Sequence, residues 1–257
     1  PPFAYQTHVK TVRPTKESSG FAPGMVRGWD FGFHKPAVGW HQLRRCASRR
    51  LHWAVLDEYC GANLEAEDLA KLVISRSKER FPEAIQWADI GDAAGAALSD
   101  KGPGPIVRLL HPPYRLTFRY RRVPNIDPGL AFVRELLSQA PCACGLPTVV
   151  VHPRCAVHIE ALSGGYHYPA QRYGREEKSK PVKDGHYDNP MDEMRYVAEL
   201  AYRPASLDPN MLARLMEYTH PRAQWQAPSG EPLAEFRYTQ DMARKDLVAM
   251  RELGLTH

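Results

Sequence analysis

The chain has 257 residues, 43% hydrophobic and 10% aromatic, and a formal net charge of +5 at pH 7. That is enough apolar material for one large domain, or one domain with an appendage, and it excludes a disordered chain. No apolar run is long enough to span a bilayer and the first residues lack a signal-peptide pattern, so no membrane association is expected and an intracellular site is.

The positive balance favours a polyanionic partner. Five scattered cysteines (Cys46, Cys60, Cys142, Cys144 and Cys155) suit a reducing compartment better than a disulfide framework.

Residues 1–24 are polar, carry Pro14, Ser18, Ser19, Gly20 and Pro23, and read as an N-terminal arm or linker to a domain over 25–203. Met25–Phe31 is short and apolar, as a buried strand is. Ala37–Leu43 is a second strand, and Leu51–Glu58 a third in which Leu51, Trp53 and Val55 alternate with His52, Ala54 and Leu56. Three strands in such close succession predict an antiparallel meander. A helix beginning at Asn63 or Glu65 follows, with Leu69, Leu72, Val73 and the stem of Arg76 on its inner stripe.

Ile85–Ile90 is a further strand leading into Gly91-Asp92-Ala93-Ala94-Gly95, and Ile106–Leu110 reads as another. Gly129–Gln139 is expected as a helix, Val149–Val151 as a brief strand and Cys155–Leu162 as a helix. Residues 163–187 are rich in Gly, Tyr, Lys and Arg, which suits an exposed loop or hairpin. Pro190 opens a helix to about Ala201 with Met191, Met194, Ala198 and Ala201 inward. Residues 204–257 read as a tail, with a helix over 233–253. The predicted class is α/β: a mixed sheet, its first three strands antiparallel, flanked by helices.

Three carboxylates stand out. Asp30 interrupts the end of an apolar strand, where a buried charge needs a cation, a metal or hydrogen bonds. Asp92 follows the Ile85–Ile90 strand, and Asp192 is placed in the first turn of the late helix, with Asp188 four residues earlier. Locally, Asp92 also suits an N-cap and Asp192 a partner for the helix dipole. Together, ends of neighbouring strands and the start of a packed helix can meet at one point, where three carboxylates repel unless divalent cations lie between them. Hard oxygen donors favour Mg2+ or Mn2+, and two such ions can drive phosphodiester hydrolysis.

Cys142-Ala143-Cys144 with Cys155 and His158 offers part of a zinc set. The C-x-C spacing is not the usual knuckle, no further pair completes it, and zinc is not expected.

Gly28-Trp29-Asp30-Phe31-Gly32-Phe33, Leu56-Asp57-Glu58-Tyr59, Gly91-Asp92-Ala93-Ala94-Gly95 and Asn189-Pro190-Met191-Asp192-Glu193-Met194-Arg195-Tyr196 together resemble the nuclease domain of phage terminase large subunits. The acid followed by x-x-Arg-Tyr on a C-terminal helix is the most specific of these motifs. The resemblance covers residues 25 to 200 and implies a ribonuclease-H-like fold. The implied activity is a metal-dependent endonuclease that cuts concatemeric double-stranded viral DNA during packaging, in the host cytoplasm.

It also implies Asp30, Asp92 and Asp192 as catalytic metal ligands for Mg2+ or Mn2+, with Glu58 and Asp188 as auxiliary acids. Asp89 competes with Asp92, but the Asp-Ala-Ala-Gly turn matches the family better. The implied partners are a terminase ATPase segment, a small subunit and a portal protein. Two departures stand out: Asn189 occupies the place of a family histidine, with His186 nearby, and no phosphate-binding Gly-x-x-x-x-Gly-Lys-Ser/Thr motif of an ATPase is present.

Arg172, Arg175, Lys178, Lys180 and Lys183, in the stretch leading to Asp192, are expected to neutralise DNA phosphates without reading sequence. Tyr114–Arg122 alternates aromatic and basic residues and is a second candidate contact. The alternatives are another ribonuclease-H-like nuclease or recombinase, such as a junction resolvase or transposase core, and a non-catalytic DNA-binding module.

Overall fold

The computed structural model describes residues 2–14, 25–32, 34–84, 86–99, 102–121, 125–169 and 180–207. In chain order its elements are α1 (Tyr5–His8), β1 (Met25–Asp30), β2 (Ala37–Arg45), β3 (Leu51–Cys60), α2 (Ala66–Arg80), β4 (Trp87–Gly91), β5 (Leu98–Ser99), β6 (Gly102–Pro103), α3 (Pro105–Leu110), β7 (Phe118–Arg119), α4 (Asp127–Ser138), β8 (Val149–Val151), α5 (Ala156–Glu160), α6 (Asp188–Val197) and α7 (Arg203–Leu207). One-turn π-helical segments, Ala161–Gly165 and Ala198–Tyr202, extend α5 and α6. The main sheet has the order β7-β4-β1-β2-β3-β8, and β5 and β6 form a separate pair.

The first three strands are antiparallel, as their close spacing predicts, while β4 pairs parallel with β1, β7 with β4, and β8 with β3. The class is thus α/β with a mixed sheet flanked by helices. One face carries Met25, Trp29, Val38, Trp40, Ala54 and Leu56 against Leu69, Ala70 and Val73 of α2 and Ile106 and Leu109 of α3. The other carries Val26, Leu43, Trp53, Val55 and Ile90 against Val133, Leu136 and Leu137 of α4 and Met191, Met194 and Val197 of α6. The period-two alternation of each strand sorts its side chains between these two helix layers.

A β-bulge between Trp40 and His41 shifts the β2–β3 register, so that Trp40 faces Asp57 while His41 faces Val55. The extra residue turns Asp57 toward α2, where Arg76 grips it at 2.9 and 2.7 Å, and turns Glu58 toward α5.

Ile106–Leu110 is a helix, not the strand expected from its apolar run. Pro105 supplies the first-turn φ, and Ile106 and Leu109, three residues apart, are the pair it buries. The late helix begins at Asp188, two residues before Pro190, which places Asp192 beyond the first turn.

The N-terminal stretch packs on the domain. Phe3 and His8 are buried, His8 Nε2 lies 3.0 Å from the Leu137 carbonyl, and Val9 bridges to Val151. Residues 208–257, including the helix expected over 233–253, lie outside the described residues, as do Arg172, Arg175 and Lys178.

Candidate functional site

The parallel pairing of β1 with β4 ends at Trp29 opposite Gly91, so Asp30 and Asp92 follow one another's strands at neighbouring ends. Both continue the face that carries Gly28, the face on which α6 lies. From α6 comes Asp192, a buried residue whose carboxylate receives Arg195 Nη2 at 3.1 Å and has Lys183 Nζ at 3.5 Å. Asp30 senses the other two. The Asp30 carboxyl is pushed up to about 7, by burial first and then by the charges of Asp192 and Asp92, against the opposing effects of the Gly32 N–H and Lys183. Tyr196 feels all three: its hydroxyl is raised by burial and then by Asp30, Asp192 and Asp92.

Asp89, the competing acid, is elsewhere. It lies three residues before Asp92, hence on the opposite face, where Arg27 Nε and Nη2 both meet it at 2.7 Å and Trp29 Nε1 donates to it at 2.7 Å. That buried, saturated pair is structural.

The auxiliary acids divide. Asp188 sits one turn before Asp192 on α6 and is 4% exposed, yet its Oδ1 has no hydrogen-bond partner among the described residues. Burial first, with the charge of Asp184 adding to it, raises the Asp188 carboxyl against the opposing effects of backbone N–H groups and Lys183. Glu58 does not join this group. It accepts from the backbone N–H of Val157 at 2.8 Å and of His158 at 3.0 Å, and lies 2.6 Å from His158 Nδ1.

His158 is one link of a buried chain that sequence reasoning missed. Trp53 Nε1–H donates to His41 Nδ1 at 3.1 Å, and His41 Nε2 lies 2.9 Å from Glu193 Oε2. Glu193 Oε1 lies 2.6 Å from His158 Nε2, whose other nitrogen reaches Glu58. Burial works against a charged His158 ring, but the hydrogen bonds to Glu193 and Glu58 outweigh it and raise the ring to about 10. Burial likewise works against an ionised Glu193, and His41 and His158 overcome it, leaving that carboxyl below its ordinary value.

Gly28 and Gly39 face each other across β1 and β2, and a Cβ on either would collide with the Glu193 carboxylate. Those glycines make room for a side chain of α6 rather than for a ligand of Asp30.

Asn189 donates to the Lys35 carbonyl and so is tied to the loop before β2. Of the expected DNA contacts within the described residues, Lys180 and Lys183 are both exposed, and Lys183 reaches Asp192.

A hard-oxygen cation suits an all-carboxylate donor set with an orphaned Asp188 oxygen. The acids are nevertheless not closed around one point. Among the described residues the one group of three or more His, Cys, Asp or Glu whose ligand atoms all lie within 4.8 Å of one another is Cys46, His52, Cys142 and Cys144.

Cys155 and His158 are not part of that group. Cys155 is buried in the core against the Val55 carbonyl, its thiol pushed up by burial, and His158 is held by its two glutamates. No helix among the described residues is long and apolar enough to cross a membrane. Comparison with protein-family models, curated proteins and solved structures found no match.

Proposed function

We propose that this chain is a divalent-cation-dependent endonuclease for double-stranded DNA, of the ribonuclease-H-like type found as the nuclease domain of phage terminase large subunits. The observation that carries the reading is the approach of Asp30, Asp92 and Asp192 from two parallel strand ends and one helix, where burial first and then the charges of Asp192 and Asp92 raise Asp30 to about 7. The order β4-β1-β2-β3, with β1 to β3 antiparallel and β4 parallel to β1, supports the fold. Arg195, three residues after Asp192 and bonded to it, supports the Asp-x-x-Arg-Tyr motif as a positioning device.

In this reading Asp30, Asp92 and Asp192 hold Mg2+ or Mn2+, with Asp188 beside them. Such ions lower the pKa of a bound water and stabilise the leaving oxygen of a phosphodiester. The chain's own groups do the rest. Arg195 orients the Asp192 carboxylate, and Tyr196 closes the inner side of the site. Lys183, already against Asp192, exchanges that carboxylate for a DNA phosphate, and Lys180, Arg172, Arg175 and Lys178, in the same basic stretch of sequence, are assigned further phosphates. A terminase ATPase segment, small subunit and portal are the partners this reading assigns, and the host cytoplasm its place.

The grip of Lys183 and Arg195 on Asp192 favours a second reading, in which the acids are structural within a DNA-binding module. Cleavage of supercoiled plasmid with magnesium or manganese separates the two. Folded Asp192→Ala protein is expected to lose cleavage, and the parent to be silenced by a chelator. Cleavage by Asp192→Ala at the parent's rate would overturn the nuclease assignment.

A further inference from the structure

At the far end of β2 from Asp30, roughly 30 Å away at about 3.4 Å per residue, three of the five cysteines come together. Cys46 opens the turn between β2 and β3, closed by Cys46 N–H to the Arg50 carbonyl at 3.0 Å and Arg49 N–H to the Cys46 carbonyl at 2.8 Å. His52 stands just inside β3. Cys142 and Cys144 lie in the loop between α4 and β8, in a turn closed by Gly145 N–H to the Cys142 carbonyl at 2.8 Å. Gly145 has φ 84°, the left-handed conformation that this reversal needs and glycine adopts freely.

From these observations we infer that Cys46, His52, Cys142 and Cys144 form a structural zinc site. All five cysteines are free. Cys46 Sγ and Cys142 Sγ are 3.7 Å apart, and Cys144 Sγ and His52 Nε2 are 3.4 Å apart. A tetrahedral zinc about 2.3 Å from sulfur and about 2.0 Å from nitrogen sets sulfurs about 3.8 Å apart and sulfur and nitrogen about 3.5 Å apart. The sulfur pair is therefore at the spacing of two zinc ligands and far from the roughly 2.05 Å of a disulfide.

The histidine is already aimed. Its Nδ1 lies 2.8 Å from the Pro147 carbonyl, and since a carbonyl only accepts, Nδ1 carries the proton and Nε2 turns its lone pair toward Cys144. Three thiolates and one imidazole are a soft, closed set that leaves no open position, which selects zinc over the hard cations of the acidic site and makes the role structural.

The surroundings fit that role. Three thiolates around a divalent ion leave one negative charge, and Arg44, Arg45, Arg49 and Arg50 occupy the same hairpin. Arg50 sews the two ligand loops together, donating to the Ala140 carbonyl at 2.9 Å, Gln139 Oε1 at 2.9 Å and Thr148 Oγ1 at 2.6 Å. A bound zinc would cross-link the β2–β3 hairpin to the segment that leads into β8. The sheet edge at β8, only three residues long, would be pinned by it.

The test is metal content of the full chain prepared in zinc-containing medium without chelator. The parent is expected to hold about one zinc per chain, Cys142→Ser and His52→Ala to lose it, and Cys60→Ser, at the opposite end of β3, to keep it. Cobalt(II) loaded into the parent in place of zinc should give the intense thiolate-to-metal absorption of a tetrahedral, sulfur-rich site, a readout that needs no variant to fold. Folded parent protein with no zinc and no such cobalt absorption overturns the proposal. So does a Cys46–Cys142 disulfide in place of metal, or zinc retained equally by Cys142→Ser. None of these outcomes depends on whether the chain cuts DNA.

Discussion

Glu193→Gln is the sharpest probe of how α6 is held. The substitution keeps the shape for which Gly28 and Gly39 leave room and removes only the charge between His41 and His158. His158 rises from 6.5 to about 10 in the folded protein, because Glu193 and Glu58 outweigh the cost of burying its charge. Its folded pKa lies above its unfolded one, so the stability it contributes is fully present below about pH 6.5 and is lost as pH rises toward 10. At about 1.36 kcal/mol per unit that contribution is on the order of 5 kcal/mol at most.

Urea unfolding of the parent should therefore show stability falling by several kcal/mol between pH 6.5 and 10. Glu193→Gln removes the first of the two bonds that raise the ring. It should cost about 3–5 kcal/mol at pH 6.5, as breaking a buried pair does, and flatten the decline toward pH 10 by at least about half. Parallel pH–stability curves for parent and variant would refute the charged His158 bridge.

Two further outcomes bear on the acids. Asp30→Asn should raise the stability of metal-free protein by about 1–3 kcal/mol at pH 8. The folded carboxyl of Asp30 lies above its usual 3.8, so its contribution is lost as pH rises through about 7, and the variant removes that penalty. Added magnesium should raise the melting temperature of the parent and not of Asp30→Asn. Asp89→Asn and Asp92→Asn should separate cleanly. The first breaks the buried pair with Arg27 and costs about 3–5 kcal/mol in urea unfolding. The second leaves stability within about 1 kcal/mol of the parent and abolishes plasmid cleavage.

The meander was legible because β1, β2 and β3 alternate or run apolar over enough residues to declare a period, and because their linkers are too short for a crossover. Ile106–Leu110 was not, since four apolar residues around Arg108 suit a short strand and a short helix equally, and only Pro105 tipped them toward helix. Asp30 and Asp92 could be placed as strand-end acids from local sequence, and the parity that separates Asp89 from Asp92 was present in their three-residue spacing.

The buried chain from Trp53 to Glu58 drew its members from β2, β3, α5 and α6, elements far apart along the chain, so no local pattern announced it. The same distance hid the cysteine cluster. Cys142 and Cys144 invite pairing with the nearest downstream Cys155 and His158, whereas their partners lie some ninety residues upstream on a hairpin, brought near only when β8 docks on β3.

What the buried glutamate contributes is register more than cohesion. An apolar side chain of similar volume at position 193 would pack against Gly28 and Gly39 without the desolvation cost of a carboxylate, and such replacements are often as stable. It would also tolerate sliding. A shift of one residue along α6 moves every side chain about 1.5 Å and turns it about 100°, enough to take Asp192 away from the ends of β1 and β4. Glu193, held at 2.9 Å by His41 of β2 and at 2.6 Å by His158 of α5, accepts no such shift, because either bond would leave a buried charge alone. Val197, one turn on, rests against the same glycine of β1, so two successive turns are fixed to the sheet. Asp188, Asp192 and Arg195 ride on the adjoining face of the same rigid turns. Their meeting with Asp30 and Asp92 is thus set by groups that never touch the acidic site, and the glycines beside Asp30 serve it from underneath.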